Sequence, residues 1–238
     1  MQITSTTVLP ARREDISFLT SDGLTLVGEV AKPESIDPVA TALFLHPLPT
    51  AGGFMDSHII RKASWRLPAL ADIAVFRFNF RGVSSPRGTS EGHFGEGIDE
   101  GLDLAAALVE CSRLGLPRPW LIGWSFGTEV ILKHARDHAD AIAGVILLSP
   151  PLHRTSPEDV ARWQDAPVPV VALIPEFDDF LPPAPARAGF APAPHIEVVD
   201  AEGAKHLWVG EKQTRFVLDE ITKRLNPAAA PLPEAWTA

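Results

Sequence analysis

The stretch Trp120-Leu121-Ile122-Gly123-Trp124-Ser125-Phe126-Gly127-Thr128-Glu129-Val130-Ile131 holds the reading of the whole chain. A short apolar run ends at Gly123, and an amphipathic helix carrying Val130, Ile131 and Ala135 opens at Phe126. Ser125 therefore falls on a tight strand-to-helix turn of the G-x-S-x-G kind. Such a turn strains the backbone of its central residue and brings the positions two before and two after it close together, so both must be small. It also lifts the serine hydroxyl above the sheet edge and points the helix N-terminus, with its unpaired amides, at whatever the hydroxyl attacks. The Phe126 amide is then one candidate oxyanion donor.

Working outward, Glu14–Thr20 and Leu24–Ala31 flank Ser21-Asp22-Gly23 and read as a β-hairpin. The pattern then changes to short runs rich in Val, Ile and Leu: 41–45, 74–80, 120–122, 142–148, 168–174 and 196–199. They lack polar alternation, as expected of strands buried on both faces. Helical patterns separate most of them. Residues 56–71 carry Ile59, Ile60, Ala63 and Leu67, with Pro68 bending or ending the helix. Residues 97–111 carry Ile98, Leu102, Ala105 and Leu108, residues 126–138 follow Ser125, and residues 211–225 stop at Asn226-Pro227. The Pro- and Ala-rich stretch 182–194 reads as a loop. The fold class is α/β: a mostly parallel sheet with an antiparallel N-terminal hairpin and helices on both faces. Residues 1–13 read as an N-terminal extension, 14–226 as the α/β domain, and 227–238 as a Pro/Ala-rich tail expected to be loosely held.

A serine hydroxyl is a weak nucleophile and needs a base, and the base needs an orienting acid. The expected chain order is serine, acid, histidine. Past the run 168–174 lie Glu176, Asp178 and Asp179, all candidates for the acid. Past the run 196–199 lies His206, the one histidine beyond the last strand. Both segments sit at strand C-terminal ends, where a parallel sheet gathers its site. His195 precedes its strand and is expected on the surface at the opposite edge. His134 and His138 read as a solvated helix face rather than metal ligands, and Cys111 as a small core residue. Arg81–Gly92 lacks the spacing of a phosphate loop and reads as a turn at the pocket rim.

The 238 residues carry 21 Lys plus Arg against 30 Asp plus Glu, a net charge of −9. That balance argues against nucleic acid or an anionic membrane as partner. A single cysteine excludes an internal disulfide framework and a Cys-ligated zinc site. The N-terminus has neither a basic start nor an apolar run, and no stretch is apolar enough to span a bilayer. The expected location is therefore cytoplasmic.

With these residues in place, the chain resembles the α/β-hydrolase superfamily, in particular its small bacterial members without a cap. The resemblance rests on the turn at Ser125, the acid and histidine loops, His46-Pro47-Leu48-Pro49 and Arg77-Phe78-Asn79-Phe80-Arg81-Gly82. It runs from about Phe18 to Leu225, which makes 14–226 an α/β-hydrolase domain. It implies a catalytic triad of Ser125, His206 and Asp178. It also implies Leu48 as the second oxyanion donor beside Phe126, and His46 as a loop-shaping residue rather than a base. Leu48 stands where relatives often carry a second histidine, and Lys205 where many carry aspartate. Only Ser149–Pro167 lies between the fourth run, 142–148, and the acid strand, 168–174, room for a loop and one short helix but not for a large cap domain.

The implied function is serine hydrolysis, most simply of carboxylic esters through an acyl-enzyme on a small-molecule acyl substrate, without cofactor or metal. Alternatives with the same triad are a peptidase, a thioesterase or an acyltransferase. An alternative of another class is a non-catalytic binding protein on a hydrolase scaffold. A homodimer packed through the tail stays open.

Overall fold

A computed structural model describes residues 1–237; Ala238, the last residue of the expected tail, lies outside the described residues. In chain order the elements are strands β1 (Arg12–Leu19), β2 (Thr25–Lys32) and β3 (Ala40–Leu45), helix α1 (His58–Ala71), and strands β4 (Ile73–Phe78), β5 (Ser84–Ser85) and β6 (Gly88–Thr89). Helix α2 (Glu100–Arg113), β7 (Pro119–Trp124), α3 (Phe126–His134) and β8 (Gly144–Leu148) follow. The chain continues with α4 (Pro157–Ala161), β9 (Val170–Phe177), α5 (Pro183–Phe190), β10 (Glu197–Lys205) and α6 (Glu211–Leu225).

Eight strands form one sheet in the order β1-β2-β4-β3-β7-β8-β9-β10. β2 is antiparallel to both β1 and β4, and every other adjacent pair is parallel, so β2 alone runs against the sheet. β5 and β6 make a separate two-residue hairpin.

Two apolar cores lie on the two faces of the sheet, and alternate residues of each central strand serve them in turn. In β3, Leu43 and Leu45 join one core while Ala42 and Phe44 join the other; in β8, Val145 and Leu147 oppose Ile146 and Leu148. A strand covered on both sides has no polar face, so its sequence shows no alternation. α1 and α6 cover one face with Ile59, Ile60, Ala63, Leu67, Val217 and Ile221. α2, α3 and α5 cover the other.

Several local expectations need correction. The apolar face of α2 is Leu104, Ala107, Leu108 and Cys111, not the row through Ile98, Leu102 and Ala105. Ile98 precedes the helix and is 58% exposed. The true row also carries Asp103, paired with Arg81, so its apolar signature is interrupted. The stretch 182–194 contains α5 rather than only loop. Its prolines at 183 and 185 fall in the first turn, where backbone amides have no intrahelical partner, while Ala186 and Phe190, four apart, enter the core.

His134 is half-buried rather than on a freely solvated face: its Nε2 meets the Gly97 carbonyl at 2.8 Å, and its ring packs on Gly101, where a Cβ would stand 2.6 Å from the imidazole. Arg81–Gly92 is not at the rim of either cavity beside Ser125; the Arg81 guanidinium instead ties Asp103 at 2.8 Å to Asp22 at 3.1 Å.

Pro68 neither ends α1 nor leaves it unsatisfied. The Ser64 carbonyl, which loses its helical donor to the proline ring, accepts instead from Arg13 Nη1 at 2.8 Å. The tail is also held: Leu232 is only 4% exposed, and the Met1 ammonium donates to the Trp236 carbonyl at 2.7 Å.

Candidate active site

Every parallel strand of the central sheet ends on one edge, and the first residue past several of those ends is polar: His46 after β3, Ser125 after β7, Ser149 after β8, Asp178 after β9 and His206 after β10. At about 4.8 Å per strand, β7 and β10 are some 14 Å apart, so His206 cannot reach Ser125 from its strand axis alone. The closing reach is visible in the hydrogen bonds. A register shift interrupts β10 between Ala201 and Lys205. The His206 carbonyl then accepts from Ser149 Oγ at 3.1 Å and from Trp124 Nε1 at 3.2 Å, anchoring the loop across the ends of β8 and β7. Neither Ser149 nor the indole of Trp124 stood out in the sequence. Trp124 lies inside the pentapeptide, but only the fold reveals which carbonyl it holds.

Ser125 has φ +51° and ψ −115°, a conformation L-residues rarely adopt and one that costs on the order of 1–3 kcal/mol. It is held by its own amide on the Leu148 carbonyl, and by the Thr128 amide and hydroxyl on the Ser125 carbonyl. Both flanking glycines are required. A Cβ on Gly123 would stand 2.7 Å from the backbone of Gly127 and Thr128, and one on Gly127 would stand 2.2 Å from the Leu45 carbonyl oxygen. The second clash is with β3, a constraint from the neighbouring strand in addition to the turn itself.

The His206 imidazole lies between Ser125 and Asp178. Nε2 is 2.9 Å from Ser125 Oγ, and Nδ1 is 2.9 and 3.0 Å from the two Asp178 oxygens. A carboxylate can only accept, so Nδ1 carries the proton and Nε2 is left to accept from the serine hydroxyl. Burial of Asp178 opposes its charge. Hydrogen bonds from His206 and from the Phe180 and Leu181 amides outweigh it and hold the carboxyl below its ordinary range.

The two competing acids are elsewhere: Glu176 is exposed and accepts from the Gly203 amide, and Asp179 is exposed. The Phe180 ring stands edge-on to His206 at 4.5 Å. His195 is exposed, as its position before β10 implies.

His46 is fully buried. Its Nδ1 donates to the Pro47 carbonyl at 2.7 Å, and its Nε2 accepts from the Phe80 amide at 3.1 Å. Burial lowers its pKa to about 4, so it is a neutral brace between the ends of β3 and β4. The brace shapes the loop through Leu48. Among the described residues neither the Leu48 nor the Phe126 amide has an intramolecular acceptor, which leaves both free to serve a bound oxygen. Cys111 is buried, and burial pushes its thiol pKa up, away from the reactive thiolate.

Two cavities meet at Ser125. The larger, about 590 Å³, is walled by Leu48, Trp124, His206, Leu207 and Val209, among others. The smaller, about 70 Å³, adds Phe126, Glu129, His153 and Arg154, and shares Leu48, Ser125 and Phe180 with the larger. Between β8 and β9 only α4 and loop are present. Among the described residues no group of three or more His, Cys, Asp or Glu side chains is arranged to hold a metal, and no helix is long and apolar enough to cross a membrane.

Residues 43–207 match the family profile described as "alpha/beta hydrolase fold". Among solved structures, an α/β serine hydrolase homologue from Coxiella burnetii is 26% identical over 91% of this chain and 97% of its own, with a TM-score of 0.71. An α/β serine hydrolase without lid from Xanthomonas campestris is 25% identical over 98% and 100%, with a TM-score of 0.73. An esterase from Pyrococcus furiosus shares the fold at 17% identity over 91% and 94%, with a TM-score of 0.72. No curated protein matches the sequence.

Proposed function

The chain belongs to the α/β-hydrolase fold family, and from that premise we propose that it is a serine hydrolase that cleaves carboxylic esters through an acyl-enzyme. The observation that carries this reading is the unbroken hydrogen-bond path from Ser125 through His206 to Asp178.

In the proposed reaction His206 Nε2 takes the hydroxyl proton as Ser125 Oγ attacks the ester carbonyl. The Leu48 and Phe126 amides receive the oxyanion. His206 then returns the proton to the departing alkoxide, leaving the acyl group on Ser125. Water, deprotonated by His206, attacks the acyl-enzyme, and His206 returns that proton to Ser125 Oγ as the bond to the acyl group breaks and the acid departs. Asp178 keeps the imidazole in the tautomer the first step needs and stabilises the imidazolium formed in each step.

The apolar walls of the larger cavity, Leu48, Trp124, Leu207 and Val209, favour an ester with a hydrophobic portion. Steady-state hydrolysis of p-nitrophenyl butyrate tests the reading. The Ser125→Ala variant should lose about 10⁶ in kcat, as a triad acting as a unit requires. Wild-type turnover by that variant would overturn the assignment.

A further inference from the structure

The small cavity contains a cation with an open coordination face. Glu129, on the helix that starts at Ser125, is fully buried; it accepts from the Arg154 backbone amide, and its Oε2 takes no hydrogen bond. The Arg154 guanidinium stands 3.9 Å from that oxygen, and 5.9 and 6.0 Å from the rings of Phe126 and Phe94. No acceptor among the described residues takes a hydrogen bond from it, and a third of its side chain stays exposed where it lines the cavity with Ser125.

Two other arginines of this protein, both more deeply buried than Arg154, show what a guanidinium does when satisfied. Arg77 holds both Glu29 and Asp56, and Arg81 holds both Asp103 and Asp22. Each engages two carboxylates. Arg154 has one, at a distance too long for a hydrogen bond, and it lines the small cavity together with Ser125.

We propose that Arg154 is a specificity-determining residue and that the second carboxylate is the substrate's: the preferred esters carry a carboxylate at the end of a short acyl chain. The acyl side follows from proton delivery. His206 must reach the departing oxygen and lines the larger cavity, so the leaving group occupies that cavity and the acyl chain the smaller one. A volume of about 70 Å³ limits that chain to a few carbon atoms. The planar fork of arginine suits a bidentate carboxylate, and the rings of Phe94 and Phe126 keep it in place. This inference rests on the serine-hydrolase reading above.

The test compares monobenzyl succinate with benzyl butyrate, which differ in a carboxylate for a methyl group, by benzyl alcohol release. The wild type should prefer the succinate ester. Arg154→Gln should cut the ratio of the two kcat/KM values about 10- to 100-fold, mainly through KM of the charged ester. Arg154→Lys should restore part of it, and 0.5 M salt should shrink it. Because Arg154→Gln strands the buried Glu129, the double variant Glu129→Gln/Arg154→Gln is measured as well and should show the same loss. Glu129→Gln alone should raise the preference. A ratio unchanged in both Arg154→Gln and the double variant overturns the inference. If the butyrate ester is still turned over in a Ser125-dependent manner, the hydrolase reading survives that failure. If neither ester is cleaved, calorimetric titration of Ser125→Ala with monobenzyl succinate decides independently. Binding that Arg154→Gln abolishes upholds the carboxylate site, and no binding removes it.

Discussion

Asp178 and His46 show how a single side chain is set by its surroundings. Asp178 is held ionised below the ordinary carboxylate range by three donors, so in the proposed mechanism protonation of this acid does not limit activity on the acid side. Asp178→Asn should lower kcat on p-nitrophenyl butyrate by about 10⁴ while leaving the fold intact, because an amide can pair with the wrong tautomer of His206. Circular dichroism together with steady-state rates checks this; retention of more than a tenth of the rate would exclude Asp178 from the role.

His46 works in the opposite sense. Its folded pKa, lowered by burial to about 4, lies below the unfolded value of 6.5. The unfolded chain therefore binds the proton first. The stability involved is fully present above pH 6.5 and is lost as pH falls towards 4, in total about 3 kcal/mol. Urea unfolding at pH 7 and pH 4.5 should show a smaller loss for His46→Gln than for the wild type. Of these residues, Ser125 and His206 could be read from the sequence because each follows an apolar run before a helix. Asp178 could not be separated from Glu176 and Asp179 by residue type, since only side-chain direction distinguishes them.

The elements explain why that direction exists. The turn at Ser125 was legible because two glycines and a change of hydrophobic period mark it. The cause at Gly127 was not, because the obstacle is the Leu45 carbonyl on β3, 82 residues earlier. Gly127→Ala should destabilise the protein by about 3 kcal/mol or displace β3 from α3, reducing activity beyond the loss in stability. Urea unfolding and ester hydrolysis of the same preparation measure both, and wild-type values in both would contradict the geometry. α5 was hidden by its prolines, which elsewhere break helices but are tolerated in a first turn. The face of α2 was misread because charged Asp103 lies on its buried side, paired with Arg81.

At the scale of the molecule, the sheet is a device for bringing distant residues to one edge. Ser125 and His206 are 81 positions apart and meet at 2.9 Å. The parallel strands were evident from their two-sided hydrophobicity, and with them the edge on which the site forms. The tail's place was not evident, because Pro and Ala carry no periodic signal and its one buried side chain among the described residues, Leu232, is fixed by backbone bonds to Arg215 and Asp219 of α6 that leave no mark in the sequence. Leu232→Ala should cost about 2 kcal/mol in urea unfolding without altering the kinetics. The convergence of the three side chains is tested most directly by reacting the protein with a fluorophosphonate and measuring its intact mass and peptide map. One adduct, on Ser125, absent from Ser125→Ala and much slower to form in Asp178→Asn, is the expected result. An adduct on another residue, or labelling that persists in Ser125→Ala, would contradict it.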